Sequence, residues 1–141
     1  MNERLELKLE HVGVVVNDIA KVAKEYEDLL GARADSPVVF DPLQKVNILF
    51  LRMGDGTRIE LIEPVGPDSP ARRTLKKGGG PDHLCYEVQD LQHAVDFAVA
   101  AGSLCVCPPT PAVAFGGRKV AFVVNRRIGV VEFVETGPAP E

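Results

Sequence analysis

The sequence is short of cysteine, and its three cysteines are an odd number, which leaves no even set for a disulfide framework and points to a reducing cytoplasm. Apolar runs are short as well. None approaches the roughly 20 residues a membrane-spanning helix requires, and the opening MNERLELK lacks the profile of a secretion signal. Charge of one sign is also missing: 16 Lys and Arg against 20 Asp and Glu leave a net charge of −4, with no broad basic face for nucleic acid. Basic residues do come in pairs, Arg72-Arg73, Lys76-Lys77, Arg118-Lys119 and Arg126-Arg127. Such pairs are either solvated surface charge or contacts to a phosphate-bearing substrate. Cys85 reads as a core residue. Cys105 and Cys107 share one face if they lie in a regular strand, but nothing nearby completes a metal-ligand set around them.

What the chain does contain is a repeat. In the stretch EHVGVVVNDI a histidine opens an apolar strand and an aspartate then breaks it. DHLCYEVQDL repeats it 72 residues later, so that His11 falls on His83, Val16 on Val88 and Asp18 on Asp90. The same offset carries Ile48 onto Val120, Phe50 onto Phe122, Glu60 onto Glu132 and Glu63 onto Glu135. Each histidine therefore precedes its glutamate by 49 residues.

The elements follow from periodicity. Residues 6–16 predict a strand, with valines on either side of Gly13. Asn17 and Asp18 supply a helix N-cap, because a short side-chain oxygen can accept from the amides of the first turn. Apolar residues at spacings of three and four from Ile19 to Leu30 predict an amphipathic helix that Gly31 ends. Strands are expected at 34–40, 46–53 and 58–63, the last two joined through Gly54-Asp55-Gly56. A linker at 64–81 holds a short helix begun by Asp68-Ser69-Pro70, and a glycine run breaks it. The second half repeats the order, with a strand at 82–88, a helix at 90–101 ended by Gly102, a short strand at 104–107, and a hairpin of 119–124 with 129–135. A ligand-facing or mobile loop is expected at 108–117, and a tail at 136–141. The chain, 141 residues long, suffices for one domain that buries roughly 68–70% of its unfolded surface. The expected modules are 6–63 and 82–135.

Strand alternation sharpens the reading of the four repeated residues. Ile59 and Leu61 face one layer, so Glu60 faces the other together with Ile62; Val131 and Phe133 oppose Glu132 in the same way. A carboxylate among apolar neighbours is costly unless it is paired or binds a cation. Taken singly, each His or Glu is an ordinary satisfied core residue. Taken together at one offset, two imidazoles and two carboxylates suit a divalent transition metal, with His11, Glu60, His83 and Glu132 as ligands. His93, which has no counterpart in the first half, reads as a surface residue.

Paired β-α-β-β-β modules with His and Glu at these places resemble the vicinal oxygen chelate superfamily, which includes the glyoxalases. Within it, the phrases EHVGVVVNDI, RIELIEPVGPDSPARRTLKKGGGPDHLCYEV, GGRKVAFVV and GVVEFVE look like the methylmalonyl-CoA epimerases. The resemblance spans residues 7–135. It implies an α+β fold in which the two modules curl one eight-stranded mixed sheet around a divalent metal (cobalt, manganese, nickel, zinc or iron), and commonly a homodimer. It also implies proton abstraction next to the carbonyl of an acyl thioester carried on coenzyme A or a carrier protein. Glu132 is the expected ligand and base, with Glu60 as its counterpart across the metal. Gln44 is either a substrate contact or a plain turn residue, and Arg118 is a candidate substrate contact. Some epimerases place a second acid/base glutamate four residues after a glutamine on the third strand; this chain has Ile48 there. Two other activities fit the same scaffold: glyoxalase-type isomerisation of a glutathione hemithioacetal, and metal-free sequestration of a ligand.

Overall fold

Valines, isoleucines and leucines at every second position drive the strands, and their alternation decides which side of the sheet each residue serves. The computed structural model describes residues 4–137. The fold is α+β, with nine strands in a mixed, unclosed sheet. In chain order these are β1 (Lys8–Val15), α1 (Ile19–Leu30), β2 (Arg33–Ala34), β3 (Val39–Asp41), β4 (Val46–Arg52), β5 (Arg58–Pro64), α2 (Arg72–Lys76), β6 (Gly80–Val88), α3 (Leu91–Ala100), β7 (Leu104–Pro111), β8 (Lys119–Asn125) and β9 (Gly129–Glu135). None of the helices among the described residues is long and apolar enough to cross a membrane. Residues 138–141 of the expected tail lie outside the described residues.

Within the described residues, the contacts divide the chain into two compact units, His11–Asp82 and a second one made of residues 4–10 with 83–137. This differs from the expected module boundaries at both ends. The linker travels with the first unit, and the segment before His11 belongs with the second, because Leu5 packs against the second core.

In the first unit the strand order is β2-β4-β5-β1, with β3 also paired to β4. β1 runs parallel to β5 with Gly13 opposite Glu60, while β4 and β5 are antiparallel with Phe50 opposite Glu60. Val14, Val16, Leu49, Leu51 and Leu61 meet Ile19 and Ala23 of α1 in one core. Leu51 and Leu61 are fully buried, each worth roughly 2–3 kcal/mol of apolar transfer. The second unit has the order β6-β9-β8-β7. There Val88, Ala121, Val123 and Phe133 pack on Leu91, Ala94 and Val95 of α3. Cys85 lies opposite Glu132 in the parallel β6–β9 ladder, and Phe122 lies opposite Glu132 in the antiparallel β8–β9 ladder. The 72-residue offset thus governs strand register as well as residue type.

α1 and α3 start in the same way. The Asp18 carboxylate accepts the Lys21 amide at 3.1 Å, and Asp90 accepts that of His93 at 3.0 Å. Gly31 ends α1 in the left-handed conformation at φ 70°. Three details depart from the sequence reading. The single strand expected at 34–40 is two short pieces, β2 and β3, with Ser36 and Pro37 between them. The linker helix is shorter than expected and begins at Arg72. β7 runs on to Pro111, so the expected loop is confined to a 3-10 turn at Val113–Phe115 and its flanks. Register shifts in β7 also separate its two thiols: Cys105 lies opposite Val123, and Cys107 lies opposite Phe122. Since Val123 belongs to the helix-side core and Phe122 does not, the thiols face opposite sides.

Candidate metal centre

His11 comes at the point where β1 enters the unit, and its side chain shares the face of Gly13 and Val15. Glu60 lies opposite Gly13 on β5. Glycine puts no side chain between the imidazole and the carboxylate, and His11 Nε2 stands 3.4 Å from Glu60 Oε1. The Phe50 ring meets the His11 ring edge-on, at a centroid distance of 5.4 Å. His11 has no exposed surface, and Glu60 is 5% exposed.

The second unit builds the same pair with the same parts. Cys85 takes the place of Gly13, small enough to leave His83 Nε2 3.0 Å from Glu132 Oε1. Phe122 meets the His83 ring edge-on at 5.6 Å. His83 and Glu132 are 7% and 4% exposed. Ionisable groups this buried are retained only where partners or a cation compensate for lost hydration. The four residues form a buried His/Glu group that could hold a metal ion, each offering one ligand atom. Imidazole nitrogen and carboxylate oxygen are donors that first-row divalent metals accept, so the residues fit such an ion.

The surroundings of the two pairs differ. In the first unit the Arg58 guanidinium carbon lies 4.0 Å from the centre of the Phe50 ring. Arg58 donates from Nε to Asp35 at 2.9 Å, and Arg52 donates to the same carboxylate oxygen at 2.8 Å. These bonds, Arg52 foremost and Arg58 after it, hold the Asp35 carboxyl below the usual range against the opposing effect of burial. The residues that the offset matches to Asp35, Arg52 and Arg58 are Cys107, Val124 and Val130, so no such cluster exists in the second unit. Instead, Arg118 lies 3.8 Å from Glu87 and 5.4 Å from the Phe115 ring centre, and it donates to the Glu135 carbonyl at 3.4 Å. Its Nε is buried and meets no acceptor among the described residues.

Gln44 sits in the turn between β3 and β4, where its amide donates to Asp41 and its carbonyl accepts from the Ser69 hydroxyl. Ile48 is buried opposite Ile62 and Val39, on the same face as Phe50, and its counterpart Val120 is equally apolar and buried. His93 is exposed on α3 and takes no part in the group. The sequence reading did not anticipate the two phenylalanines as partners of the histidines. Their signal was present, since both copies carry Phe at that offset. Arg58 gave a fainter one, as a cation two places before Glu60 on the same strand face.

This arrangement is that of a known class. Residues 10–122 match the glyoxalase/bleomycin resistance protein/dioxygenase superfamily, and the chain belongs to it. Among its relatives is the ethylmalonyl-CoA/methylmalonyl-CoA epimerase of Cereibacter sphaeroides, 34% identical over 118 residues, which cover 82% of this chain and 87% of that protein. The mitochondrial methylmalonyl-CoA epimerase of Bos taurus is 40% identical over 90 residues, 62% of this chain; the match spans half the length of the bovine protein. The crystal structure of methylmalonyl-CoA epimerase from Mycobacterium tuberculosis superposes with a TM-score of 0.79 over 92% of this chain and 88% of that one, at 24% identity, a likeness of fold.

Proposed function

We propose that the two His–Glu pairs supply His11, Glu60, His83 and Glu132 to one divalent metal, and that the protein epimerises a methylmalonyl-type coenzyme A thioester. The observation that carries this reading is the duplicated pair: a buried imidazole against a buried carboxylate, at the same register in each unit. The names of the relatives select the chemistry.

In such a substrate the reacting C–H lies between a thioester carbonyl and a carboxylate. The metal, when bound, supplies positive charge that polarises the carbonyl oxygen and favours the enolate. Glu132 takes the α-proton as general base, since a carboxylate within hydrogen-bond reach can accept it. Inversion requires that a proton be delivered to the opposite face by a second group that starts protonated, while Glu132 keeps the one it has taken. Glu60 is the counterpart for that step, because the position where some epimerases have a second glutamate holds the buried Ile48. The apolar Ile48, Ile62, Val120 and Val134 on the same strand faces exclude water around the carboxylates, which strengthens every charge interaction there. Arg118 would contact the substrate's anionic groups through its half-buried guanidinium. Gln44, whose backbone is used in the turn, has its amide side chain available for a substrate contact.

The test is deuterium exchange at the α-carbon of methylmalonyl-CoA, followed by mass spectrometry, with methylglyoxal and glutathione as the competing assay. Glu132→Gln keeps shape and removes the base, so exchange should fall by about two to four orders of magnitude while the variant still folds. Exchange at the wild-type rate in Glu132→Gln would reject the assignment, and turnover of the hemithioacetal alone would replace the epimerase by a glyoxalase.

A further inference from the structure

α2 and the residue after it carry Arg73, Lys76 and Lys77, all exposed. Spacings of three and four place them on one face of the turn. None of the three has an ion pair among the described residues, although like charges so spaced repel one another. Arg72 is employed otherwise. Its guanidinium donates to the carbonyls of Gly66 at 2.8 Å and Pro64 at 3.4 Å, which ties α2 to the end of β5.

The other end of this segment is tied down as closely. A Cβ built on Gly79 would come 2.8 Å from the Val15 carbonyl, the last residue of β1, and 3.7 Å from Leu75 of α2. The Gly79 amide itself donates to the Thr74 carbonyl at 3.0 Å. α2 is therefore held at the C-terminal ends of the parallel strands β1 and β5. The same strands carry His11 and Glu60. Val15 lies two residues beyond Gly13 and Pro64 four beyond Glu60, about 7 and 13 Å along the strands at the usual rise. The rim gains a fourth cation from Lys45, a non-glycine residue at φ 53° whose carbonyl accepts the Val65 amide and whose ammonium lies 3.8 Å from Asp68.

We propose that Arg73, Lys76 and Lys77 form the subsite for the phosphate groups of the thioester carrier, and so make coenzyme A rather than an unphosphorylated thiol the carrier this enzyme selects. The inference rests on the epimerase reading for the acyl end of the ligand. An extended pantetheine arm is longer than the 13 Å or so between Glu60 and the end of β5, so its thioester can sit at the His11–Glu60 end while its phosphates lie over α2. Multiply charged phosphates gain most from several cations presented on one face, and their attraction to exposed Arg and Lys is screened by salt.

The experiment compares the triple variant Arg73→Gln/Lys76→Gln/Lys77→Gln with wild type on three substrates: methylmalonyl-CoA, methylmalonyl-4′-phosphopantetheine and methylmalonyl-pantetheine. KM for the CoA ester should rise about tenfold or more at low salt, the phosphopantetheine ester should respond less, and the pantetheine ester should keep its KM. Arg126→Gln/Arg127→Gln, which removes a basic pair from the β8–β9 hairpin, should leave all three KM values as they were. Equal KM for the CoA ester in triple variant and wild type overturns the proposal, and so does a parallel rise for all three esters. Calorimetry with coenzyme A itself separates this from the reaction. If no ester is epimerised by wild type, the functional reading fails, while about tenfold weaker CoA binding by the triple variant still upholds the subsite and unchanged or absent binding rejects it.

Discussion

The His–Glu pairs depend on what stands next to them more than on the four residues themselves. Gly13 and Cys85 are the residues opposite the two glutamates, and only small side chains there let the imidazoles of His11 and His83 reach across. Phe50 and Phe122 close the other side with their ring edges. Gly79 matters for a different reason. At φ +73°, with its would-be Cβ 2.8 Å from a backbone oxygen, it allows the linker to lie against Val15. Gly79→Ala is expected to destabilise the protein by about 2–4 kcal/mol, from the left-handed backbone and the overlap together. Gly56→Ala, at φ +90° with nothing within 4 Å, should cost only about 1–2 kcal/mol. Urea unfolding of both variants decides the matter, and equal losses would show that the approach to Val15 contributes nothing.

At the scale of elements, the helices rather than the strands carry the most exposed polar hardware. α1 and α3 each begin on an aspartate whose carboxylate accepts an amide of the first turn. Replacing either Asp18 or Asp90 by alanine should cost about 1 kcal/mol, the usual value of an N-cap side chain, read as a lowered midpoint in thermal or denaturant unfolding. An unchanged midpoint would mean that water caps these helices as well as the aspartates do. The copies diverge one turn away. Glu63 accepts the Ile19 amide and the Asn47 side chain, tying β5 to the start of α1, whereas its counterpart Glu135 accepts the Lys119 amide of β8. Helix bounds 19–30 and hairpin strand 129–135 were legible because period and capping residues agree there. The break between β2 and β3 and the register shifts of β7 were not. Both answer to how the strand lies on its neighbour, the Ser36 hydroxyl donating to the Pro37 carbonyl at 2.9 Å and accepting the Phe50 amide at 3.0 Å, which no local pattern encodes.

For the whole molecule, a metal held by donors from both copies would make ion binding part of folding. A protein loaded at about a thousandfold over the dissociation constant gains about 4 kcal/mol from the ion. Stripping it with a chelator should then lower Tm by roughly 10–15 °C for a chain of this size, and readdition of a divalent transition metal should restore it. Elemental analysis of the purified protein with no shift in Tm on chelation would sink the four-ligand proposal and leave two independent His–Glu pairs. The duplication itself was visible in the sequence, because the histidines and glutamates, the small residues and the phenylalanines all recur at 72. Strand alternation also told which side Glu60 and Glu132 face, since a period of two depends on the backbone alone. Only the tertiary structure decided that Cys105 and Cys107 part company, that Arg58 and Asp35 buttress one copy alone, and that the segment before His11 joins the far half of the chain. Those outcomes depend on contacts between residues distant in sequence, and such contacts leave no periodicity to read.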